Sequence, residues 1–353
     1  MRKILITGGA GFIGSHLCDE LIKNGYKVTV IDNLDPQIHG QDAECPRQLS
    51  KYVNYINGDV RDVFTIEKLV RENDVVFHFA SVGYPHEPRI QEQNDVNNIG
   101  TAVLIQAIIK NPVKKLLIGS CSSIYGEGYY KDLYGQIHRM VRNGVRSKHV
   151  RCIGDREDQA FLEPIAMREE FIPSIESPFA LTKFDQETLA MLMGSRHNFA
   201  VCSLRFFSVY GIGQSFANEN LNVMAEFTSK ALLNKSPLIF EDGNQIRDFI
   251  YVTDAAKICR LAMESPLTNG EIINVGTGIP TTVNRLAELF RAHYPDGQNL
   301  PVITGESRSN DIRHSFADVT KLNKLLGFAS VVNLEKGIGK LVSSFESVKA
   351  GVI

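Results

Sequence analysis

The sequence is short of several things, and each shortage closes off a class of function. No apolar run approaches the ~20 residues that a bilayer span needs. The opening MRKILITGG turns glycine-rich too soon for the apolar core of a secretory leader. A basic excess is missing: 38 Lys and Arg against 40 Asp and Glu leave a formal charge of −2. Proteins that hold a nucleic-acid backbone normally carry such an excess or a basic stripe, so neither nucleic acid nor membrane is an expected partner. The six cysteines, Cys18, Cys45, Cys121, Cys152, Cys202 and Cys259, form no C-x-x-C pair. That argues against a disulfide framework or a zinc knuckle and for a reducing, cytoplasmic setting. No metal site is expected. The sequence also has no internal repeat and no low-complexity segment.

What is present is ordinary in amount: 43% hydrophobic and 22% charged residues, near the averages of globular domains. At roughly 150 residues per domain, 353 residues make about two units. The order of the elements is more informative. Short β-branched runs at 3–7, 27–32, 52–57, 75–79 and 115–119 alternate with helical spacing at 12–24 and 95–110. Further strands are expected at 200–206 and 271–275. Alternation of this kind predicts an α/β, doubly wound parallel sheet built from right-handed βαβ units. Beyond residue 210 the rhythm loosens, with helices expected at 222–234, 253–264, 281–293 and 334–348. The stretch 127–176 is polar and without clear period, and reads as an insertion or flap. The expected organisation is a nucleotide-binding domain over 1–208, rejoined by 248–277, and a smaller substrate lobe from 209–247 and 278–353.

The loop between the first strand and first helix reads GGAGFIG at 8–14. Gly8 permits the tight turn, Gly11 lets a pyrophosphate approach the backbone, and Gly14 allows close packing of helix on strand. The helix that starts at Phe12 and Ile13 points its free N–H groups and positive dipole end at the phosphates. Eighteen residues past Gly14, Asp32 ends the second strand, where a carboxylate accepts from ribose hydroxyls and repels a 2′-phosphate. Its neighbours Asn33 and Leu34 bring no arginine, so NAD is expected over NADP. Asp59, before Val60, either lies near the adenine or caps the helix expected at 62–72.

From here the chain resembles the extended short-chain dehydrogenase/reductases that act on nucleotide sugars, the NAD-dependent epimerase/dehydratase family. The likeness runs through GDVRD at 58–62, HFA at 78–80, SIYGEG at 123–128, SPFALTKFDQE at 177–187 and LRFFSVYG at 204–211. It continues through RDFIYVTD at 247–254, INVGTG at 273–278 and DIRHSFAD at 311–318. Within the family it looks like the 4-epimerases of the UDP-glucose and dTDP-L-rhamnose types.

The resemblance implies a tightly held NAD and a sugar hydroxyl that is transiently oxidised. Phe79, Ala80 and Phe206 are implied around the cofactor, and Lys183 as the lysine that binds its ribose and lowers the pKa of a catalytic phenol. Cys121, Ser122 and Ser123 are implied beside the reacting hydroxyl. Arg247 and Arg313 are implied as clamps on a sugar diphosphate, a role that suits the guanidinium fork. Ser81, Tyr84, His86, Ser208, Asn222 and Val223 fall in segments that face substrate. A homodimer is implied through helices 95–110 and 179–194.

Two positions depart from the pattern. Where the family carries its catalytic tyrosine, this chain has Phe179, which has no ionisable hydroxyl. Where a Ser or Thr is usual, it has Cys121, a weaker donor. Three readings stay open. Phe179 arrests an otherwise ordinary epimerase, as a deliberate trapping substitution does. Alternatively Cys121, or the loop with Tyr84 and His86, supplies another base, suited to a dehydratase or a related sugar-modifying enzyme. In the third, the chain binds a sugar nucleotide without chemistry.

Overall fold

The structure, a computed structural model, describes residues 2–40, 49–83, 89–142, 150–152, 162–214, 223–293, 301–306 and 312–349. Among these, β1 (Lys3–Thr7), β2 (Lys27–Asp32), β3 (Asn54–Asn57), β4 (Val75–His78), β5 (Lys115–Cys121), β6 (Ala200–Phe206) and β7 (Glu271–Val275) join in one sheet. Its order is β7-β6-β5-β4-β1-β2-β3, and every pairing is parallel. Such a sheet is covered on both faces, which is why the consecutive side chains of Ile4, Leu5 and Ile6 are all fully buried. On one side α1 (Phe12–Lys23) packs on α5 (Val252–Glu264). On the other, α3 (Gly100–Lys110) lies between α2 (Val63–Glu72) and α4 (Pro178–His197). Two apolar clusters fill these layers, one around Leu17, Phe77 and Ile258, the other around Leu69, Leu104 and Ala190. The fold is the doubly wound α/β architecture expected. Strand order reverses between β1 and β4, and a crevice opens there at the carboxyl ends of the strands.

The structure differs from expectation in places that bear on the site. The third strand starts at Asn54, and β5 runs two residues farther than expected, to Cys121. The helix expected over 95–110 has a longer composite form: an α-turn at Ile90–Gln93, a π-helix at Asn94–Ile99, then α3. One wide turn leaves the apolar spacing nearly unchanged, so the pattern does not reveal it. Within 127–176 the described residues include regular strands that no period announced. Strands Tyr129–Lys131, Ile137–Arg142, Val150–Cys152 and Glu163–Pro164 pair antiparallel in a small sheet. Runs of two to six residues are too short for alternation to show. The later helices lie at Val223–Leu232, α5, Val283–Arg291 and Leu334–Lys349, with one unforeseen at Thr320–Leu326. Among the described residues no helix is long and apolar enough to cross a membrane.

A buried ion pair fixes α4 on the sheet. Arg205 Nη2 of β6 lies 2.6 Å from Glu187 Oε1 of α4, with both side chains nearly inaccessible. Ser203 Oγ donates to the same carboxylate, and Arg205 Nη1 donates to Tyr125 Oη, which in turn donates to Asn274 Oδ1. Replacing one member strands the other's charge in a dry interior, at a cost of about 3–5 kcal/mol. Arg205→Leu is therefore expected to lower the urea-unfolding free energy by that amount. A loss below about 1 kcal/mol would show that the pair does not organise this interior.

Candidate functional site

The glycine loop closes the crevice through backbone contact that only glycine allows. Gly8 has φ +70, and a Cβ there would stand 2.5 Å from the Ala80 nitrogen just past β4. At Gly14 a Cβ would meet the Gly8 carbonyl at 2.7 Å, so this glycine packs against the loop itself and not on a strand. Gly9, given no role above, seats on Val30, whose Cγ2 would lie 2.6 Å from a Cβ. The N-cap of α1 is Gly11, without a side-chain cap. Its first-turn N–H groups are therefore left to an anion, as a dinucleotide's pyrophosphate requires. Phe12 and Ile13 anchor that turn by packing on the sheet's larger cluster.

An open cleft runs from this loop along the ends of β2, β3 and β4, past Gly8, Asp32, Asp59, Val60, Phe79 and Ala80. The Asp32 carboxylate accepts from Ala10 N and Leu34 N, both at 3.0 Å. A carboxylate has about four lone-pair positions, so acceptor capacity remains for a pair of ribose hydroxyls. His39 Nε2, 3.7 Å away, is a neighbour that spacing did not reveal. Asn33 reaches Asp59 at 3.5 Å. Asp59 does not cap the following helix: Asp62 does, accepting from Phe64 N and Thr65 N. Instead the Arg61 side chain grips Asp59 and holds its carboxyl below the usual range. Phe79 lies edge-on to Phe206 at 5.9 Å and gives the cleft an aromatic floor. Bare glycine backbone, an uncapped helix start and an acidic acceptor together fit a dinucleotide.

The second half of the site forms where α4 crosses the ends of β4 and β5. Ser177 caps α4 by accepting from Ala180 N, and Pro178 sits in its first turn, where no N–H is needed. Phe179 and Lys183 follow one turn apart on the same helix face. The Phe179 ring lies against Gly83, where a Cβ would come within 2.6 Å of it. Lys183 Nζ is buried and donates to Gln186 Oε1 at 2.9 Å. Burial pushes its pKa down to about 8, opposed by Cys121 and Glu187. Cys121 Sγ and Ser123 Oγ share a hydrogen bond at 2.6 Å. Burial pushes that thiol up, although Ser123 and Lys183 oppose it, so it is a proton-bearing group at neutral pH. Ser122 opens the short 3-10 turn Ser122–Tyr125 that follows β5.

Two residues here went unnoticed in the sequence. Asn97, in the π-helix, accepts from Val82 N and donates to Val82 O and Thr182 Oγ1, clamping the segment after β4 to α4. His78 is buried at the end of β4 between Thr7 and Thr101. No spacing signal could have found either, because their partners lie 15 to 85 residues away. Arg247 ends the strand Ile246–Arg247, and Arg313 immediately precedes the strand paired with it, His314–Ser315. Arg313 is held by two carboxylates. Its guanidinium spans Glu241 at 2.6 Å and Asp242 at 2.7 Å, while Asp248 accepts from Thr277 and Gly278. Arg247 Nη1 donates to the carbonyls of Ile246 and Arg313. Ser81 lines the cleft, Ser208 N donates to Asp248 O, and Val223 begins a helix against the larger cluster. Tyr84, His86 and Asn222 lie outside the described residues.

Comparison with known proteins gives a consistent picture. A sequence model of the NAD dependent epimerase/dehydratase family matches residues 4–276. The chain is 31% identical over 348 residues to the dTDP-L-rhamnose 4-epimerase of Burkholderia thailandensis, covering 96% of this chain and 94% of that one. The UDP-glucose 4-epimerase of Thermotoga maritima, solved with UDP-glucose, superposes with a TM-score of 0.78 at 29% identity, over 98% of this chain and 99% of the other. A Tyr-to-Phe variant of the UDP-glucuronic acid 4-epimerase of Bacillus cereus, solved with UDP-4-deoxy-4-fluoro-glucuronic acid and NAD, superposes with a TM-score of 0.79 at 25% identity, over the same shares.

The acceptor capacity left on Asp32 generates a prediction. Asp32→Asn removes the charge that holds ribose hydroxyls and repels a 2′-phosphate. Each hydrogen bond to a charged group contributes about 1.5–3 kcal/mol. NAD affinity by titration calorimetry should therefore fall about 10- to 100-fold, and NADP should lose less. Equal losses for both would remove Asp32 from the ribose.

Proposed function

The chain belongs to the NAD dependent epimerase/dehydratase family, and from that premise we propose that it binds a nucleoside-diphosphate sugar as a 4-epimerase does, with Phe179 standing where the proton-transferring phenol is expected. The observation that carries this reading is the convergence of α4 on the strand ends: Lys183 one turn after Phe179, beside Cys121 and next to the glycine-lined cleft. When bound, NAD supplies a reversible hydride acceptor at a sugar carbon.

The chain's own residues divide the remaining work. The loop Gly8, Gly11 and Gly14 with the start of α1 seats the pyrophosphate, and Asp32 takes the adenosine ribose. Lys183 Nζ holds the second ribose, with a charge that favours deprotonation of an adjacent hydroxyl. Ser123, through its hydrogen bond, orients Cys121 as a weak donor to the sugar oxygen. Arg247 and Arg313 receive the diphosphate, for which Arg313 must release at least one of its two carboxylates. Phe179 preserves the shape of a phenol-bearing site and leaves the proton without an acceptor there. The Tyr-to-Phe variant of the Bacillus cereus enzyme, solved with both sugar nucleotide and NAD, supports retention of both ligands by such a site.

Relocation of the base to Cys121 is the second reading, favoured by its closeness to Lys183 and opposed by the burial that keeps the thiol protonated. A Cys121-based lyase would need thiolate in the complex. Tyr125 offers no substitute, since burial pushes its phenol up and Arg205 and Asn274 occupy it.

Restoring a missing general base is worth about 10²- to 10⁴-fold in rate, or roughly 3–5.5 kcal/mol of barrier. On a panel of UDP- and dTDP-sugars followed by NMR, Phe179→Tyr should therefore gain at least about 10²-fold over the native chain. Turnover by the native chain that disappears in Cys121→Ala would replace this reading with the relocated base. Half-exposed Ile90, Ile99, Leu181 and Leu192 on the helices around α3 and α4 support a homodimer through that face. Sedimentation velocity at micromolar concentration is expected to show a dimer, and a monomer there would contradict it.

A further inference from the structure

The buried lysine is held by an unusual partner, and proton counting along its hydrogen bonds fixes how. Lys183 Nζ carries donors only, so the Gln186 amide must turn its oxygen to it, at 2.9 Å. The amide nitrogen then faces the other way and donates to Thr101 Oγ1 at 2.8 Å and, more weakly, towards Ala80 O at 3.5 Å. Thr101 has one hydroxyl proton, and it goes to the Asn97 carbonyl, its shortest contact. His78 Nε2 stands 2.8 Å from the same Thr101 oxygen and 3.2 Å from the Gln186 amide nitrogen; with the Thr101 proton committed to Asn97, the shorter contact takes its proton from the imidazole, and the longer one is packing between two donors. That assignment makes the imidazole the Nε2–H tautomer, with Nδ1 accepting from Thr7 Oγ1 at 2.7 Å. All five side chains involved, Lys183, Gln186, Thr101, His78 and Thr7, are buried, and Asn97 contributes its main-chain carbonyl.

We propose that Gln186 is a positioning residue for Lys183: it receives the ammonium on an uncharged oxygen and is itself anchored through Thr101 to His78 in a single tautomer. The network runs from Thr7, immediately before the glycine loop, across β4 to α4. It thereby couples the position of the lysine to the strand end that carries Gly8. This deepens the proposed function and rests on its assignment of Lys183 to the cofactor.

The electrostatic setting agrees. The titratable groups facing Lys183 are His78 on β4, Cys121 on β5 and Glu187 on α4. Burial, with Lys183 nearby, pushes His78 down to about 3, so it stays neutral. Cys121 keeps its proton, and Glu187 is committed to Arg205. Among the described residues no close anion serves the lysine alone, and the Gln186 oxygen accepts its hydrogen bond. Its charge is then easily lost as pH rises through about 8.

The test reads the lysine directly. Full-length protein with isotope-labelled lysine, assigned with Lys183→Met, gives the Lys183 titration by NMR. Gln186→Glu, of nearly identical shape, should raise the midpoint by at least one unit, about a tenfold shift in the protonation equilibrium. Gln186→Leu should lower it and weaken NAD retention. If Gln186→Leu does not fold, Gln186→Glu alone decides. An unchanged midpoint in folded Gln186→Glu overturns the proposal, as does a histidine nitrogen spectrum that places the His78 proton on Nδ1. A midpoint that moves while Lys183→Met keeps its NAD would support the positioning role and overturn the cofactor role of the lysine. Loss of NAD in Lys183→Met with a midpoint that ignores Gln186 would do the reverse.

Discussion

The site depends on the contact between Gly8 and the backbone at Phe79–Ala80. With φ +70 and no room for a Cβ, Gly8 brings the end of β1 flush against the segment leaving β4. This is where strand order reverses, so the same contact defines the rim of the crevice. It also brings Thr7 next to His78, because the two residues are paired in the register of β1 on β4. The glycine turn therefore sets two things together: the floor of the cofactor cleft and the first link of the buried polar network. A side chain at Gly8 would push the strand ends apart and disturb both.

Charge is managed by the same local economy. The chain has no basic excess, yet its expected ligands carry several phosphate charges. Uncapped N–H groups at α1 offer a partial positive charge that requires no lysine. The two arginines of the C-terminal strands are already engaged, Arg313 by two carboxylates and Arg247 by two carbonyls. Pairing Arg313 this way leaves the unliganded surface near neutral, and under the proposed function the guanidinium would exchange carboxylate for phosphate. The near-zero formal charge is thus compatible with polyphosphate recognition, which whole-chain arithmetic alone would have discouraged.

Much of the fold was legible in the sequence, and the reason is local. Strands buried on both faces read as unbroken runs such as KILIT and KVTVID, and the glycine loop between strand and helix marks its own geometry. Lys183 and Phe179 were placed by the family resemblance, and their four-residue spacing sets them one helical turn apart. The antiparallel strands of 129–164 were missed because none is long enough to show a period. The π-turn was missed because one extra residue barely disturbs an apolar stripe. Asn97, His78 and Gln186 were missed for a different reason: each acts through partners that the tertiary fold delivers. Asp59 shows the converse case, where a plausible cap by spacing lost to Asp62, three residues on and better placed for Phe64 N and Thr65 N.

The division of labour on α4 turns on a single residue step. Consecutive side chains on a helix point about 100° apart, and Gln186 and Glu187 use that angle to face different strands. Glu187 turns to β6, where Arg205 and Ser203 consume its charge. Gln186 turns to β4, where only neutral groups meet it. Exchanging the two side chains would leave a carboxylate beside Lys183 and an amide beside Arg205, strengthening the lysine's charge and stranding the arginine's. The anion on this helix is thus spent on holding the helix down, and the lysine is held by an amide. That arrangement keeps the ammonium in place without quenching it, which is what a group meant to act on a neighbouring hydroxyl through its charge requires. Under the proposed function, with Phe179 at the phenol position, this lysine is the part of the proton-handling apparatus that the fold would retain.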